Sequence, residues 1–208
     1  MSSLATNSIP RSYGIILLAA GASSRLGKPK QLLTYNDKTL LQHSLQIAIA
    51  TEMQNIVTVL GANADLLSES LENQKLTIII NEGWSEGMAS SIRCGMEALL
   101  NTAPALDGVI IMVCDQPFVT SKLLTDLVEK HQLTGKSIIA SKYNGNLGTP
   151  ALFDTTIFAL LRLLNGDSGA KKMMQANPDW VESVDFPFGE FDIDTHADYD
   201  LLIKGPQL

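Results

Sequence analysis

Residues 13–31 read YGIILLAAGASSRLGKPKQ, an apolar run followed at once by small and basic residues. The run Tyr13–Ala20 is short and nearly continuous in apolarity, which is typical of a strand covered on both faces of a sheet. The small residues of Gly21–Gln31 let backbone N–H groups approach an anion, and three cations accompany them. These cations are Arg25, Lys28 and Lys30. The stretch therefore predicts a buried first strand that ends in an anion-binding loop.

Similar apolar runs recur along the chain, with helical patterns between them. The further predicted strands are Asn55–Leu60, Leu76–Asn81, Gly108–Cys114 and Ser137–Ala140. Helices are predicted after Thr39, which has the capping-box spacing to Gln42, and at Met88–Leu100 and Thr120–His131. This alternation indicates an α/β fold with a largely parallel sheet, whose ligands bind at the carboxyl ends of the strands. Residues 18–21, 81–87 and 115–117 all fall at such ends.

Composition and charge limit the possible classes of protein. The chain has 208 residues, of which 45% are hydrophobic and 18% charged, so we predict one globular domain over residues 13–208 behind a disordered tail, 1–12. Its net charge of −7 argues against nucleic-acid binding, which needs a basic face. The tail lacks the apolar segment of a signal peptide, and no run is long enough to span a membrane. Cys94 and Cys114 form no metal-binding or disulfide pattern, so we expect a cytoplasmic protein without membrane partners.

Two common phosphate-binding motifs are excluded by counting. A P-loop has four residues between its glycines and then Lys-Ser/Thr, whereas five residues separate Gly21 from Gly27 and Pro29 follows Lys28. The dinucleotide fingerprint GxGxxG is absent from the sequence. The loop must therefore belong to another class of phosphate-binding protein, if it is more than an ordinary turn with solvated lysines.

The pattern LAAGxSSRxGxxKQ of residues 18–31 resembles the signature of MobA-like nucleotidyltransferases, and specifically of molybdenum cofactor cytidylyltransferases. Further matches follow in the same order along the chain. They are NEGWSEGMASSIRCGM (81–96), VCDQP (113–117), GTPALF (148–153), GDSGAK (166–171) and FDIDTHADYDLL (191–202). The resemblance thus spans nearly all of residues 14–203, and its first motif and the DQP triplet are the most specific parts.

This resemblance implies a Rossmann-like three-layer α/β/α sandwich and a Mg²⁺- or Mn²⁺-dependent nucleotidyl transfer. The implied substrates are CTP and a phosphate-bearing acceptor such as molybdopterin, with a molybdoenzyme or its chaperone as a further partner. Such a transfer needs charge neutralisation and in-line positioning more than covalent help from the protein. Gly148-Thr149-Pro150 and Gly166-Asp167-Ser168-Gly169, which also suit turns, border the acceptor pocket in the family.

The resemblance assigns roles to individual residues. Arg25, Lys30 and Asp115 are the catalytic candidates, and Asp115 and Asp194 the metal ligands. The implied nucleotide-binding residues are Leu18, Ala19, Ala20, Gly21, Arg25, Lys30, Ser91 and Asp115. From the residues alone, Asp192 competes with Asp194 as second ligand, because alternation puts both on one side of an extended segment. Asp194 is alternatively the N-cap of a final helix at Ala197–Leu202.

In the proteins that the sequence resembles, the residue before the last glycine of the first loop correlates with the nucleotide that the enzyme uses. Guanylyltransferases resemble LAGG and cytidylyltransferases LAAG, and here the position is Ala20. An alanine methyl narrows the space that glycine leaves open. We therefore expect CTP to be preferred to GTP.

Other functions stay open at this point. Gly83-Trp84-Ser85-Glu86-Gly87 matches the GxSxG elbow of serine hydrolases, with Asp192 and His196 in the right order for a triad. No HGGG-type oxyanion segment precedes it, and a hydrolase would leave the first loop unexplained. A nucleotide-binding module without turnover, a guanylyltransferase and a sugar-phosphate nucleotidyltransferase are the remaining alternatives.

Overall fold

The computed structural model describes residues 11–71, 77–167 and 169–205. The predicted N-terminal tail therefore lies outside the described residues except for Arg11 and Ser12. Ser12 is tied to the domain, since its N–H donates to Asp107 Oδ2 at 2.7 Å and its carbonyl accepts from Asp107 N. Within the described ranges, no helix combines the length and apolarity that a membrane crossing requires.

A seven-stranded, mostly parallel sheet forms the centre of the domain. The strands in chain order are β1 Tyr13–Ala19, β2 Thr34–Tyr35, β3 Lys38–Thr39, β4 Asn55–Leu60, β5 Thr77–Ile80, β6 Gly108–Val113, β7 Ile138–Tyr143, β8 Asn146–Asp154 and β9 Val181–Asp185. The sheet order is β5-β4-β1-β6-β8-β7-β9, while β2 and β3 form a separate ribbon. Only β8 runs against its neighbours β6 and β7.

The described helices connect these strands. They are α1 Leu40–Ile49, α2 Ala64–Glu69, α3 Met88–Thr102, α4 Ser121–Thr134, α5 Phe158–Leu161, α6 Lys171–Ala176 and α7 His196–Lys204. The predicted capping box is confirmed at the start of α1: Gln42 N donates to Thr39 Oγ1, and Thr39 N donates to Gln42 Oε1, both at 3.1 Å. Such a cap contributes about 1 kcal/mol to helix stability.

Two hydrophobic layers cover the two faces of the sheet. Ile15 and Leu17 of β1 belong to the core cluster that contains α1 and α4, whereas Ile16 and Leu18 belong to the cluster that contains α3. Strand side chains alternate between faces, so a strand that is apolar at every position needs helices on both sides. The predicted three-layer α/β/α sandwich is confirmed.

The structure extends the sequence prediction in the C-terminal half. Gly148-Thr149-Pro150, which also suited a turn, lies inside β8. Ala140 of β7 pairs with Ala151 of β8, but the next residue, Ser141, pairs with Gly148. Thr149 and Pro150 therefore have no partner in the regular ladder between these two strands. A proline is tolerated in a central strand only where such an irregularity removes the need for its missing N–H. β9 was also not predicted.

Candidate functional site

A cleft of about 660 Å³ opens at the carboxyl ends of the central strands. Its walls come from the loop after β1, the turn before α3 and the end of β6. The predicted nucleotide-binding residues all line it: Leu18, Ala19, Ala20, Gly21, Arg25, Lys30, Ser91 and Asp115. The fold therefore brings together positions that are almost a hundred residues apart in the sequence.

Gln31 fixes the shape of the first loop. Its side chain is fully buried, and its Nε2 donates to Ala19 O at 2.9 Å and to Gly21 O at 2.8 Å. Ser23 completes the brace, because its Oγ accepts from Lys30 N at 3.0 Å and donates to Gln31 Oε1 at 3.3 Å. Gln31 closes the loop motif in the sequence, but a role for it is evident only from these contacts.

The other two carbonyls at the end of β1 are also occupied. Leu18 O accepts from Cys114 N at 3.2 Å, and Ala20 O accepts from Ala62 N at 3.0 Å. Each carbonyl from residue 18 to residue 21 thus accepts a hydrogen bond from within the protein. The loop is held in place before a ligand arrives, which lowers the entropy that binding must overcome.

Two carboxylates and two cations meet on one side of the cleft. Lys30 Nζ lies 2.5 Å from Asp115 Oδ2 and 2.7 Å from Asp194 Oδ1, and Arg25 Nη1 lies 3.2 Å from Asp194 Oδ2. The Lys30 side chain is only 13% exposed, whereas that of Arg25 is 74% exposed. Since solvent screens exposed pairs, the contacts of Lys30 are the stronger electrostatic interactions of this cluster.

The chain segment before α7 is what brings Asp194 here. Ile193 is fully buried, and its N–H donates to Asp115 O at 3.0 Å. Thr195, not Asp194, is the N-cap of α7, with a capping box formed by Asp198. The N-cap alternative for Asp194 is therefore wrong: the neighbouring hydroxyl serves as cap, and the Asp194 carboxylate is directed to Lys30.

The charges of the cluster shift two pKa values, that of Lys30 and that of the neighbouring Asp192. Burial opposes the charge on Lys30, but the adjacent Asp115 and the hydrogen bond to Asp194 outweigh it and raise the pKa of the ammonium. Partial burial, and then the negative charges of Asp115 and Asp194, raise the pKa of Asp192 to about 7. The carboxylate that shares Lys30 with Asp115 is Asp194 and not Asp192, which favours Asp194 as the second metal ligand.

The donor set suits a hard divalent cation. Asp115 Oδ2 and Asp194 Oδ1 lie 2.5 and 2.7 Å from the same lysine nitrogen, so the distance between the two oxygens cannot exceed the sum of these two distances. Among the residues described, no group of three or more His, Cys, Asp or Glu forms a closed metal site. Mg²⁺ typically takes one or two carboxylates and completes its coordination with substrate phosphates and water. Two carboxylates facing an open cleft fit that requirement.

Asn81, after β5, orders the side of the cleft formed by α3. Its Nδ2 donates to Ser90 Oγ at 2.8 Å and to Ser91 Oγ at 3.0 Å, and all three residues are buried. Its Oδ1 accepts from Gly83 N at 3.0 Å. Asn81 therefore joins the turn before α3 to the first turn of that helix. Asn81 begins the motif of residues 81–96, but its role is evident only from these contacts.

A second cleft, of about 580 Å³, adjoins the first along Met88 and Asp167. It is lined by β8, α6 and the end of β7. Gln116 links it to the first cleft: Gln116 Nε2 donates to Gly189 O at 2.9 Å, and Thr149 Oγ1 donates to Gln116 Oε1 at 3.2 Å. The two predicted acceptor segments, 148–150 and 166–169, contribute to this cleft, although Ser168 lies outside the described residues.

The GxSxG pentapeptide does not build a hydrolase site. Ser85 is exposed in a single 3-10 turn, and His196 is the exposed first residue of α7. Within the described part of the chain, no hydrogen bond joins these two side chains. The arrangement thus lacks the serine–histidine contact that nucleophilic catalysis requires.

Comparisons with known proteins agree with this geometry. The family model for the MobA-like NTP transferase domain matches residues 15–181. The nicotine blue oxidoreductase of Paenarthrobacter nicotinovorans is 30% identical, over 86% of this chain and 91% of its own. Rv0371c of Mycobacterium tuberculosis superposes with a TM-score of 0.83 at 28% identity, covering 95% of this chain and all of that one. A second structure of that protein, in complex with manganese, gives a TM-score of 0.78 at 26% identity, covering 93% and 99% of the two chains.

Proposed function

The chain belongs to the MobA-like NTP transferase family, and we propose that it is a cytidylyltransferase that transfers CMP from CTP to the phosphate of molybdopterin or its molybdenum-loaded form. The observation that carries this proposal is the contact of Lys30 with both Asp115 and Asp194 on the wall of the first cleft. A cation that can bind a triphosphate thus lies beside two carboxylates that can hold a metal, which supports nucleotidyl transfer. A binding module without turnover has less need of the metal carboxylates.

The residues of the cleft have separate roles in the transfer. An oxygen of the acceptor phosphate forms a bond to the α-phosphorus of CTP, the bond from that phosphorus to the bridging oxygen breaks, and pyrophosphate leaves. Lys30 and Arg25 bind the non-bridging oxygens and neutralise the charge that develops on the leaving group. Asp115 and Asp194 would hold Mg²⁺ or Mn²⁺, which supplies Lewis-acid polarisation of the phosphates when bound. The manganese complex of Rv0371c supports use of a divalent metal by this fold.

The second cleft favours a heterocyclic acceptor over a sugar. Met88, which is 42% exposed, and the half-buried Leu147 line it, so part of its accessible surface is apolar. A flat ring system can bury such surface favourably, whereas a sugar would leave hydroxyl groups opposite side chains that cannot hydrogen-bond. Lys171 and Lys172 also line this cleft and suit the negative charge of a phosphorylated acceptor.

The surroundings of Ala20 support a narrow pocket for the base. A side chain at Gly61 would collide with the Ala20 methyl and with Trp84, so these three residues are tightly packed. Ala20 is buried, and Trp84 lines the same cleft. We propose that Ala20 favours the smaller pyrimidine by holding Trp84 and the loop in this close arrangement.

Pyrophosphate release tests the proposal. The four ribonucleoside triphosphates are crossed with molybdopterin and with sugar phosphates, and CTP with molybdopterin should give the highest kcat/KM. A preference for GTP, or for a sugar phosphate, would replace the assignment with one of the other transferases. Because one relative is named nicotine blue oxidoreductase, a change in the absorbance of nicotine blue is looked for in parallel, and we expect none. Asp126→Asn on the exposed surface of α4 is the matched control for Asp115→Asn.

A further inference from the structure

We propose, resting on the proposed function, that Lys30 is an internal counter-cation that keeps the divalent metal out until a triphosphate binds. Its ammonium contacts both carboxylates that would hold the metal, Asp115 and Asp194. Metal binding then depends on a ligand that draws Lys30 away. The inference concerns the order and coupling of binding, which the proposed reaction itself does not specify.

Three of the four oxygens of the two carboxylates already contact a cation of the protein. Lys30 contacts Asp115 Oδ2 and Asp194 Oδ1, and Arg25 contacts the other oxygen of Asp194. A metal ion requires lone pairs of these same oxygens, so it competes with the protein's own cations. Because the side chains of Lys30 and Asp115 are only 13% and 19% exposed, water screens this competition little.

A triphosphate is the ligand that can relieve the competition. Its oxygens accept hydrogen bonds from ammonium and guanidinium groups, and its charge replaces that of the carboxylates around Lys30. The flexible four-carbon stem of lysine lets the ammonium move while the backbone stays in place. The backbone is indeed fixed, since Lys30 N donates to Ser23 Oγ and the next residue is the buried Gln31. Only the end of the side chain needs to change partners.

The coupling has a measurable consequence in the protein without nucleotide. Removing the ammonium should leave Asp115 and Asp194 as an unneutralised pair and therefore strengthen metal binding. Coupling between sites typically changes an affinity by about 5- to 150-fold, so we expect Lys30→Ala and Lys30→Gln to bind Mn²⁺ at least about tenfold more tightly than the unmodified protein. The same variants should lose triphosphate affinity, because they lack the cation that binds it.

Lys28 provides a matched control from the same loop. It is exposed, and its Nζ lies 5.9 Å from the centre of the Tyr199 ring of α7. Lys28→Ala removes one positive charge, as Lys30→Ala does. Among the described residues, however, Lys28 forms no ion pair with a carboxylate. It should leave the affinity for Mn²⁺ without nucleotide unchanged within about twofold, as expected for a screened surface charge.

The test is a titration of the full chain with Mn²⁺, followed by the electron paramagnetic resonance signal of the free ion. Unchanged or weaker Mn²⁺ binding by both Lys30 variants would overturn the proposal, and so would equal strengthening by Lys28→Ala. Circular dichroism establishes that each variant is folded, and Lys30→Gln retains a hydrogen-bond donor if the alanine variant is unstable. Asp115→Asn added to Lys30→Gln should abolish the gain. Failure of the proposed function would appear separately, as absence of pyrophosphate release with every triphosphate and acceptor.

Discussion

Gln31→Met tests the idea that the first loop is fixed from within. Methionine keeps nearly the same volume but cannot donate to Ala19 O and Gly21 O, which Gln31 Nε2 contacts at 2.9 and 2.8 Å. Leaving a buried polar group without a hydrogen bond costs about 1–3 kcal/mol of stability. The full cost applies to the carbonyl of Ala19, since this residue is 2% exposed. Water can replace the bond at the exposed Gly21, and burying an apolar side chain recovers part of the loss. We expect a net destabilisation of about 2 kcal/mol.

For a domain of this size, about 2 kcal/mol corresponds to a Tm lower by about 4–8 °C. Urea unfolding gives the free energy directly, and the affinity for CTP, measured by calorimetry, should fall at least about threefold because the loop must now be ordered on binding. Gln46→Met is the matched control, since Gln46 is exposed on α1. A Gln31→Met protein with unchanged stability and CTP affinity would refute the reasoning.

Four further outcomes are expected. Asp115→Asn should lower kcat by about a hundredfold or more, and addition of EDTA should abolish activity of the unmodified protein, both measured by pyrophosphate release. Arg25→Ala should raise the KM for CTP less than Lys30→Ala does, because its side chain is 74% exposed. Ala20→Gly should bring kcat/KM for GTP closer to that for CTP. Burial lowers the pKa of His131, whose Nδ1 lies 3.0 Å from Tyr13 OH, so the unfolded chain takes up a proton at a higher pH than the folded protein does. The free energy of unfolding in urea should therefore be at its full value above about pH 6.5 and fall below that pH. The fall should be smaller in His131→Gln.

The parts of the fold that sequence alone predicted are those in which local pattern and burial agree. β1, β4 and β6 are apolar at nearly every position, because helices cover both faces, and such runs have few other interpretations. Thr39 is predicted as a helix start because a side-chain oxygen can satisfy an orphan N–H only at a fixed spacing, and the structure confirms this cap. Both signals lie within a few residues of chain, so they are readable without knowledge of the tertiary structure.

The missed features depend on contacts between distant parts of the chain. Gln31 looks like any polar loop residue, and its importance comes from carbonyls ten and twelve residues earlier. The resemblance, and not the spacing, indicated Asp194 rather than Asp192 as the second metal ligand. The hydrogen bond from Ile193 to Asp115, which brings this segment to the cleft, joins residues 78 positions apart in a way that no periodicity encodes. The contact of Lys30 with both carboxylates was not predicted, because it joins three segments that are far apart in the chain.

The reversed direction of β8 explains how one edge of the sheet can serve two substrates. In a fully parallel sheet, only the carboxyl ends of strands supply loops to the binding edge. Because β8 runs antiparallel beside β6, its first half, including Thr149, comes to the same edge as the end of β6. Gln116, directly after Asp115, reaches Thr149 across this junction. Asp115 lines the cleft built by the end of β1, and the next residue, Gln116, contacts Thr149 of the cleft built by the start of β8. This arrangement supports the proposed role of Asp115, because the triphosphate and the attacking phosphate must meet where the two clefts adjoin.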